Sequence, residues 1–226
     1  MNLTTIKDGI ILSNHHLIVY NKPAGMAIQS MQDKENTLEV KLTHYCKTAL
    51  YPIHRIDQPC SGLVLFAKKK STAALLNEQL QNLEISRVYL AIVMVKPDPA
   101  AGQLHHYLFA HKKSNKSYVV DAGHKEGKKA ELEFEWLGEA DGHHLLKIQL
   151  FTGRHHQIRS QLSSIGSPIK GDVKYGAKIY NQDHNIHLHA WQLEFNQPPD
   201  MKRIKLEAGL PDDPTWQIMK PLLQEN

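Results

Sequence analysis

Apolar and polar residues alternate along this chain at the two spacings that distinguish strands from helices. Residues 88–95 are eight consecutive apolar residues that a Lys-Pro pair ends, and we expect a buried central strand there. In residues 130–137 three glutamates alternate with leucine, phenylalanine and tryptophan, which predicts a half-exposed strand. Residues 138–142 supply a turn, and residues 144–151 return as the antiparallel partner. The sheet is therefore expected to have an antiparallel portion.

Other segments show the same periodicities more briefly. A helix is expected after Asn36 or Thr37, either of which can cap it, and another after Ser71, with four leucines in residues 75–83 facing inward. Residues 98–129 follow neither spacing, and we expect hairpins or a mobile excursion there. The remaining predicted elements are strands at residues 17–20, 63–67, 186–195 and 203–207 and helices at residues 154–165 and 215–223.

Length and composition fit one large domain, because 226 residues with 41% hydrophobic content can bury a sizeable core. We expect a single domain over residues 1–226. The formal net charge of +4 is modest, so an anionic partner must be met by a local patch. Two cysteines, Cys46 and Cys60, form no disulfide framework, which favours a reducing compartment. No leader pattern and no apolar run of about 18 residues occurs, so a soluble cytoplasmic protein is predicted.

Asp57 is the first candidate for chemistry. It lies two residues after Arg55 in a turn-prone segment, shortly before the apolar run at residues 63–67. A carboxylate at the start of a buried strand can act as a catalytic group. On the local pattern alone, an Arg-x-Asp in a loop is more typical of a surface ion pair or a turn cap. Both interpretations are open at this point.

Cationic side chains crowd the expected start of the helix at residues 154–165. Arg154, His155 and His156 lie in its first turn, and Arg159 follows His155 by four residues, on the same face of a helix. These groups oppose one another near the positive end of a helix dipole unless an anion lies nearby. We therefore expect a phosphate or carboxylate partner there.

Other polar clusters are ambiguous. Lys112, Lys113 and Lys116 fit a solvated face and a phosphate-contacting loop equally well. His187 and His189 share one face of a strand, but no third ligand follows at a metal-site spacing, which favours histidines on the sheet surface. The sequence has no Gly-x-Gly-x-x-Gly, P-loop, Gly-x-Ser-x-Gly or His-Glu-x-x-His motif. Nucleotide cofactors, hydrolase triads and zinc chemistry are thereby disfavoured.

Several short motifs follow one another along the chain. The central one is His-Arg-Ile-Asp at residues 54–57, which continues through Ser-Gly to Ala-Lys at residues 67–68. The others are Lys-Pro-Ala-Gly at 22–25, Arg-Val-Tyr-Leu-Ala at 87–91, Gly-Arg-His-His-Gln-Ile-Arg at 153–159, Gly-Asp at 171–172, Tyr-Gly at 175–176 and Leu-His-Ala at 188–190. Taken together, this arrangement resembles the RluA-type pseudouridine synthases over roughly residues 10–200.

The resemblance implies a fold and a reaction. The fold is the α+β pseudouridine synthase fold, a mixed, largely antiparallel central sheet with flanking helices and an active cleft across its middle. Asp57 is implied as the catalytic carboxylate, which attacks the target uridine or abstracts a sugar proton. Arg159 is the first choice for the cation that keeps this carboxylate ionised, with Arg154 second. Tyr89 is implied to stack on the base, and Arg55 to occupy the space of the extruded nucleotide.

Further residues of the motifs are expected to contact RNA. They are His54, His156, Gln157 and Lys22, of which Lys22 is expected to be exposed in its turn. The partner is transfer or ribosomal RNA, the protein is expected to be a monomer, and no metal, nucleotide or other organic cofactor is implied. Two alternatives are a catalytically silent RNA-binding module or chaperone with the same fold, and a glycosidase-like hydrolase. A glycosidase-like hydrolase usually requires a second carboxylate paired with Asp57, and none is evident in the sequence.

The chain departs from the family pattern at three positions. Cys60 stands where threonine is usual, His155 replaces a common threonine or serine, and Gln161 stands where histidine is frequent. These changes bear on the RNA-facing details rather than on the chemistry. No S4-type RNA-binding domain is recognisable before the catalytic pattern. Substrate selection is therefore expected to come from the catalytic domain, through residues 98–129.

Overall fold

The computed structural model describes residues 3–30 and 32–224. Within them the chain forms eleven strands, five α-helices and two 3-10 turns. The strands are β1 Ile10–Ser13, β2 Leu17–Lys22, β3 Tyr51–Pro52, β4 Ser61–Ala67, β5 Ser86–Val93, β6 Ala101–His111, β7 Lys116–Val120, β8 Lys128–Ala140, β9 His143–Leu150, β10 Leu188–Gln197 and β11 Lys202–Glu207. The helices are α1 Leu3–Asp8, α2 Leu38–Cys46, α3 Lys70–Gln81, α4 Gln157–Ser164 and α5 Pro214–Met219, and the 3-10 turns are Val173–Tyr175 and Lys220–Leu223.

The chain divides into two compact units. Unit 1 comprises Met1–Arg87 and Ala190–Gly209, and unit 2 comprises Val88–His189 and Leu210–Asn226. Each unit combines antiparallel strand pairs with helices, which confirms the predicted α+β class and its largely antiparallel pairing. The single domain expected over residues 1–226 stays a prediction.

In unit 1 the strands follow the order β1, β2, β4, β10, with β3 paired to β4 and β11 paired to β10. Strands β2 and β4 run antiparallel from Leu17 opposite Ala67 to Lys22 opposite Gly62. Every residue of β4 is buried, as its apolar run predicts. Leu63, Leu65 and Ala67 belong to a core that also includes Leu76 and Phe195. This core fixes the strand that directly follows the Asp57 segment.

The two longer helices of unit 1 differ in how well their starts follow the expected caps. The side chain of Thr37 accepts a hydrogen bond from the backbone nitrogen of Val40, so the predicted cap of α2 is confirmed. The predicted cap at Ser71 is wrong, because α3 begins at Lys70 after an uncapped, extended Lys69. This start turns Leu75, which is 43% exposed, outward, while Leu76 enters the core.

In unit 2 the strands follow the order β5, β9, β8, β6, β7. The expected hairpin of residues 130–151 is confirmed, with β8 and β9 paired antiparallel up to Ala140 opposite His143. Residues 98–129, for which hairpins or a mobile excursion were expected, form the hairpin of β6 and β7. Strand β6 pairs with β8 from Ala101 opposite Glu135 to Leu108 opposite Lys128. This segment therefore extends the antiparallel strands in a regular way.

The two histidines near the start of β10 are buried, so the expectation that they lie on a sheet surface is wrong. His187 precedes the strand and is 5% exposed, and His189 is 0% exposed. The Nε2 atom of His187 lies 3.0 Å from Asp213 Oδ1, and its Nδ1 lies 2.9 Å from Asn181 Nδ2. Burial lowers the pKa of His187. A neutral ring that donates to Asp213 and accepts from Asn181 satisfies both contacts.

None of the helices in residues 3–30 and 32–224 has the length and apolarity that a membrane crossing requires.

Candidate active site

The residues expected to carry chemistry or contact RNA are divided between the two units. Unit 1 contains Lys22, His54, Arg55 and Asp57. Unit 2 contains Tyr89, Arg154, His156, Gln157 and Arg159.

Asp57 begins a tight turn that leads into β4. The backbone nitrogen of Cys60 donates to the carbonyl oxygen of Asp57 at 3.1 Å, and the strand starts one residue later. Asp57 is half-buried, whereas Arg55 is exposed. The neighbouring Gln58 exchanges two hydrogen bonds with Gly25, through its backbone carbonyl at 2.9 Å and its side-chain amide at 3.0 Å. The carboxylate is therefore on a turn that the segment at residues 22–26 holds in place.

Lys22 is the centre of this arrangement, and its expected exposure is wrong. It is 0% exposed, and its ammonium group lies between 2.5 and 3.1 Å from four backbone carbonyl oxygens. These oxygens belong to Pro23, Met26, Gln58 and Cys60. An ammonium group has three protons, so the carbonyls use its whole donor capacity. We assign Lys22 a structural role, joining two loops, and its expected contact with RNA stays a prediction.

The charge of Lys22 bears on the electrostatics of the Asp57 turn. Burial lowers its pKa to about 8, and the negative charges available at Cys60 and Asp57 oppose this decrease. The group is therefore mostly protonated at neutral pH. A buried positive charge thus lies within the Asp57 turn, beside the carbonyl oxygens of Gln58 and Cys60.

The protonation state of His54 follows from the environment of its ring. Burial and, to a lesser extent, the positive charge of Arg87 lower the pKa of its imidazole to about 3. Both ring nitrogens are shielded from solvent, and neither has a hydrogen-bond partner among the described residues. The ring is therefore neutral at physiological pH, and the expected contact of His54 with RNA stays a prediction.

The conformation and surroundings of Gly62 explain why the central motif has a glycine at this position. Its φ of +114° is a conformation that L side chains rarely adopt. A Cβ atom at this position would collide with the backbone of Ala190. Glycine therefore allows β4 and β10 to approach closely just after the Asp57 turn.

Tyr89 lies in β5 opposite Ile148 of β9 and is 5% exposed. Six of the seven other residues of β5 are buried as well. This degree of burial is typical of a core tyrosine, the local alternative that the sequence left open. Stacking of Tyr89 on a base stays a prediction.

Arg159 is a buried arginine with a fixed orientation. Its Nε donates to Asp172 Oδ2 at 2.7 Å and its Nη2 donates to Asp172 Oδ1 at 2.8 Å, which is bidentate geometry. Its Cζ lies 5.0 Å from the centroid of the Tyr175 ring. The sequence reasoning placed Asp172 and Tyr175 in motifs but gave them no role. The signal available was their position in the Gly-Asp and Tyr-Gly motifs, shortly after the arginine segment.

The helix that carries Arg159 starts three residues later than expected. Helix α4 begins at Gln157, and His156 precedes it in a left-handed conformation with φ of 51°. The expectation that Arg154, His155 and His156 lie in the first turn is wrong, and so is a helical face shared by His155 and Arg159.

Gln157 holds the loop before α4 in place. Its Oε1 accepts from the backbone nitrogen of Arg154 at 2.9 Å and from the hydroxyl of Thr152 at 2.8 Å. Its Nε2 donates to the carbonyl oxygen of Glu131 at 3.1 Å, and the residue is 3% exposed. These contacts give Gln157 a structural role in the loop, and its expected contact with RNA stays a prediction. Arg154 is exposed, and its Nε donates to the backbone carbonyl oxygen of Lys129 at 2.9 Å.

The two residues after Arg154, His155 and His156, have stacked imidazole rings. The rings of His155 and His156 are 3.8 Å apart and nearly parallel. The Nδ1 of His156 is 3.0 Å from the hydroxyl of Tyr175, which also accepts a hydrogen bond from the backbone nitrogen of Ser117 at 2.7 Å. Tyr175 thus connects His156, strand β7 and Arg159. His156 is 8% exposed, so its direct contact with RNA stays a prediction.

Among the described residues no group of three or more His, Cys, Asp and Glu side chains is arranged to hold a metal ion. Unit 1 contains a cavity of about 620 Å³ beside the Asp57 turn. Its lining includes Gly25, Met26 and Gln58, which form or contact the loop that Lys22 holds, and the polar side chains of Asn36 and Lys41.

Comparison with known proteins identifies similar chains. A sequence model described as RNA pseudouridylate synthase matches residues 16–164. The tRNA pseudouridine synthase C of Haemophilus ducreyi is 30% identical, over 93% of this chain and 93% of its own. The ribosomal large subunit pseudouridine synthase D of Pseudomonas aeruginosa is 31% identical, over 92% of this chain and 69% of its own. This chain spans 66–69% of the length of several further relatives.

The solved structure of human RNA pseudouridylate synthase domain containing 4 has a similar fold. Its TM-score is 0.77 at 24% identity, over 98% of this chain and 95% of that one. The expected pseudouridine synthase fold is confirmed.

Proposed function

Because this chain belongs to the RNA pseudouridylate synthase family, it is an isomerase that converts uridine to pseudouridine in RNA, and we propose that Asp57 is its catalytic carboxylate. The observation that carries the proposal is the construction of the Asp57 turn. The half-buried carboxylate directly precedes a fully buried strand, and the turn is fixed by the buried ammonium group of Lys22. A catalytic group needs this kind of preorganisation, since the protein then does not reorganise during the reaction.

The reaction requires one carboxylate to start the replacement of the sugar–nitrogen bond by a sugar–carbon bond. Asp57 attacks the sugar of the target uridine or abstracts a proton from it, and the bond between sugar and base nitrogen breaks. The freed uracil rotates and its C5 atom bonds to the sugar carbon, while the sugar releases Asp57 or takes back its proton. The proton that C5 loses is balanced by the proton that N1 gains. No atom is gained or lost overall, so the reaction needs no external reactant. An ionised carboxylate suits both routes.

Arg159 and Tyr89 are proposed to act in the same reaction. The bidentate pair with Asp172 and the Tyr175 ring support this role for Arg159, because they fix the direction of its guanidinium group before substrate arrives. Arg159 would supply positive charge to the reacting groups, and Tyr89 would stack on the uracil ring. Exposed Arg55 is proposed to occupy the space of the extruded nucleotide.

The RNA substrate is proposed to be transfer RNA or ribosomal RNA. The names of the Haemophilus and Pseudomonas relatives support one each. Exposed Arg154 suits a phosphate contact, because its guanidinium group retains donors beyond the one used on Lys129. Action in the cytoplasm and as a monomer stay predictions. Mapping pseudouridines in total RNA from cells with and without this protein distinguishes the two substrates.

Replacing Asp57 by asparagine tests the chemistry. Asp57→Asn keeps the shape of the side chain and removes its negative charge, so pseudouridine formation should fall below detection while most RNA affinity remains. The matched control is Asp200→Asn, which alters an exposed aspartate of the turn between β10 and β11. Pseudouridine is measured by nucleoside mass spectrometry after incubation with transfer and ribosomal RNA. Turnover that persists in Asp57→Asn would show that another group carries the reaction.

A further inference from the structure

One segment of unit 2 has a net positive charge as large as that of the whole chain. Residues 111–129 contain two acidic residues, Asp121 and Glu126, and six lysines, so their formal net charge is +4. The whole chain also has a formal net charge of +4. The lysines are Lys112, Lys113, Lys116, Lys125, Lys128 and Lys129. The tip and the base of the β6–β7 hairpin thus provide a local patch for an anionic partner.

Aromatic rings line one face of the same hairpin. Phe109 lies opposite Tyr118 and His111 lies opposite Lys116, and opposed residues of an antiparallel pair share a face. The ring centroids of His111 and Tyr118 are 6.4 Å apart, and those of Phe109 and His124 are 4.8 Å apart. Tyr118 is 42% exposed, and His111 and His124 are exposed as well. We call this face the outer face of the hairpin.

The opposite face of the hairpin is partly covered by the protein itself. On this face Ser117 and Leu108 are buried, whereas Val119 is 38% exposed. The backbone nitrogen of Ser117 donates to the Tyr175 hydroxyl at 2.7 Å, and its hydroxyl contacts the Nδ1 of His155 at 3.1 Å. The hairpin is therefore fixed on Tyr175, whose ring also contacts Arg159, and on the loop before α4. Only the outer face of this hairpin presents exposed rings among the described residues of β6 and β7.

We propose that the outer face of the β6–β7 hairpin docks unpaired nucleotides of the RNA substrate, by stacking of bases on Tyr118 and His111 and phosphate contacts from the surrounding lysines. Aromatic rings interleaved with cations are what an unpaired strand needs, because every base has a flat face and every linkage has a negative charge. A duplex hides its base faces, so the surface favours loops and ends over paired regions. The proposal rests on the proposed function, since RNA is the substrate of that reaction.

The first test measures affinity for an unstructured, fluorescently labelled RNA of about ten nucleotides. Tyr118→Leu, which keeps an apolar side chain on the strand and removes the ring, should raise Kd about 5- to 10-fold, while Tyr118→Trp should retain affinity. Tyr180→Ala is the matched control, because Tyr180 is 58% exposed and packs edge-on against His184 at 5.3 Å. Thermal unfolding verifies that the variants are folded.

Two outcomes would overturn the docking surface. The first is a wild-type protein that does not bind the oligonucleotide or binds a matched duplex more tightly. The second is a Tyr118→Leu variant, folded like the wild type, whose Kd is unchanged. A hairpin that serves a protein partner instead would give the second outcome.

The second test concerns the lysines at the tip. Lys112 and Lys113 are both exposed, and their joint replacement by alanine should lower the slope of log Kd against log salt by about 1.4, at about 0.7 for each phosphate contact. The control is joint replacement of exposed Lys202 and Lys205 on β11, which should leave the slope unchanged. An equal decrease of the slope in both variants would mean that the lysines act through the net charge of the protein rather than through contacts at the hairpin, which would contradict the proposal.

Failure of the docking surface and failure of the proposed chemistry give different results. The oligonucleotide assay needs no turnover, so it decides the role of Tyr118 even if Asp57→Asn remains active. Conversely, in the pseudouridine-forming reaction with Asp57 intact, the Tyr118→Leu variant should have a KM several-fold above that of the wild type, with little change in kcat. A normal KM in Tyr118→Leu, together with loss of activity in Asp57→Asn, would reject the docking surface and leave the proposed chemistry standing.

Discussion

Replacing Lys22 by methionine should destabilise the protein by an amount that depends on pH. Methionine has a similar length and no donor, so the variant leaves four carbonyl groups, one of them in a fully buried contact and three in partly buried contacts, without the ammonium group. An unsatisfied buried acceptor costs about 1–3 kcal/mol, and the avoided burial of a charge offsets part of the sum. At pH 7 we expect a decrease of about 3 kcal/mol in the free energy of unfolding.

The pH dependence follows from the pKa of Lys22. Its ordinary pKa is 10.5 and burial lowers it to about 8, so between these values the unfolded chain binds more protons than the folded one. Stability from this group is therefore fully present above pH 10.5 and is lost as the pH falls through about 8. The difference between the two pKa values corresponds to about 3 kcal/mol. The methionine variant lacks this contribution.

The assay is urea unfolding of the wild type and Lys22→Met at several pH values from 7 to 10. Other groups titrate in both proteins, so the difference between them isolates Lys22. This difference should widen as the pH rises from about 8. A difference that stays constant over the whole range would mean that the folded protein does not depress the pKa of Lys22. Equal stability of the wild type and Lys22→Met at pH 7 would refute the proposal that Lys22 joins the two loops.

Two further substitutions test the surroundings of the proposed catalytic groups. Gly62→Ala should cost about 3 kcal/mol or more, because it combines an unfavourable φ with a collision at Ala190, whereas Gly123→Ala, where a Cβ meets no atom within 4 Å, should be nearly neutral in urea unfolding. Asp172→Asn should cost about 3 kcal/mol, since it removes the charge from a buried pair with Arg159, and should lower the melting temperature by roughly 6–12 °C. An unchanged melting temperature would contradict the importance of this pair.

The parts of the fold that the sequence predicts well are those in which side-chain periodicity and burial coincide. The alternating residues 130–137 and the apolar runs of β4 and β5 became strands, because one or both faces of each are buried. The start of α4 was missed for a different reason. It depends on the left-handed conformation of His156 and on the side chain of Gln157, and neither changes the spacing of apolar residues.

The role of Lys22 could not be read from the sequence either. Two of its acceptors are main-chain carbonyls 36 and 38 residues away along the chain, and a main-chain carbonyl has no signature in the sequence. A lysine in a Pro-Gly turn is ordinarily exposed, so the local pattern predicted the opposite of what folding produces. The order of the motifs along the chain indicated the family, although it does not reveal what each residue contacts.

The clustering of lysines on the β6–β7 hairpin also has a kinetic consequence. At physiological ionic strength the field of an exposed charge extends about 8 Å, so neighbouring lysines reinforce one another where the same charge spread evenly would not. An approaching polyanion is then guided toward this hairpin before any contact forms. We expect the association rate constant to fall steeply with added salt while the dissociation rate constant changes little. Residues 111–129 would thus govern how quickly the protein finds RNA, separately from how long the complex lasts.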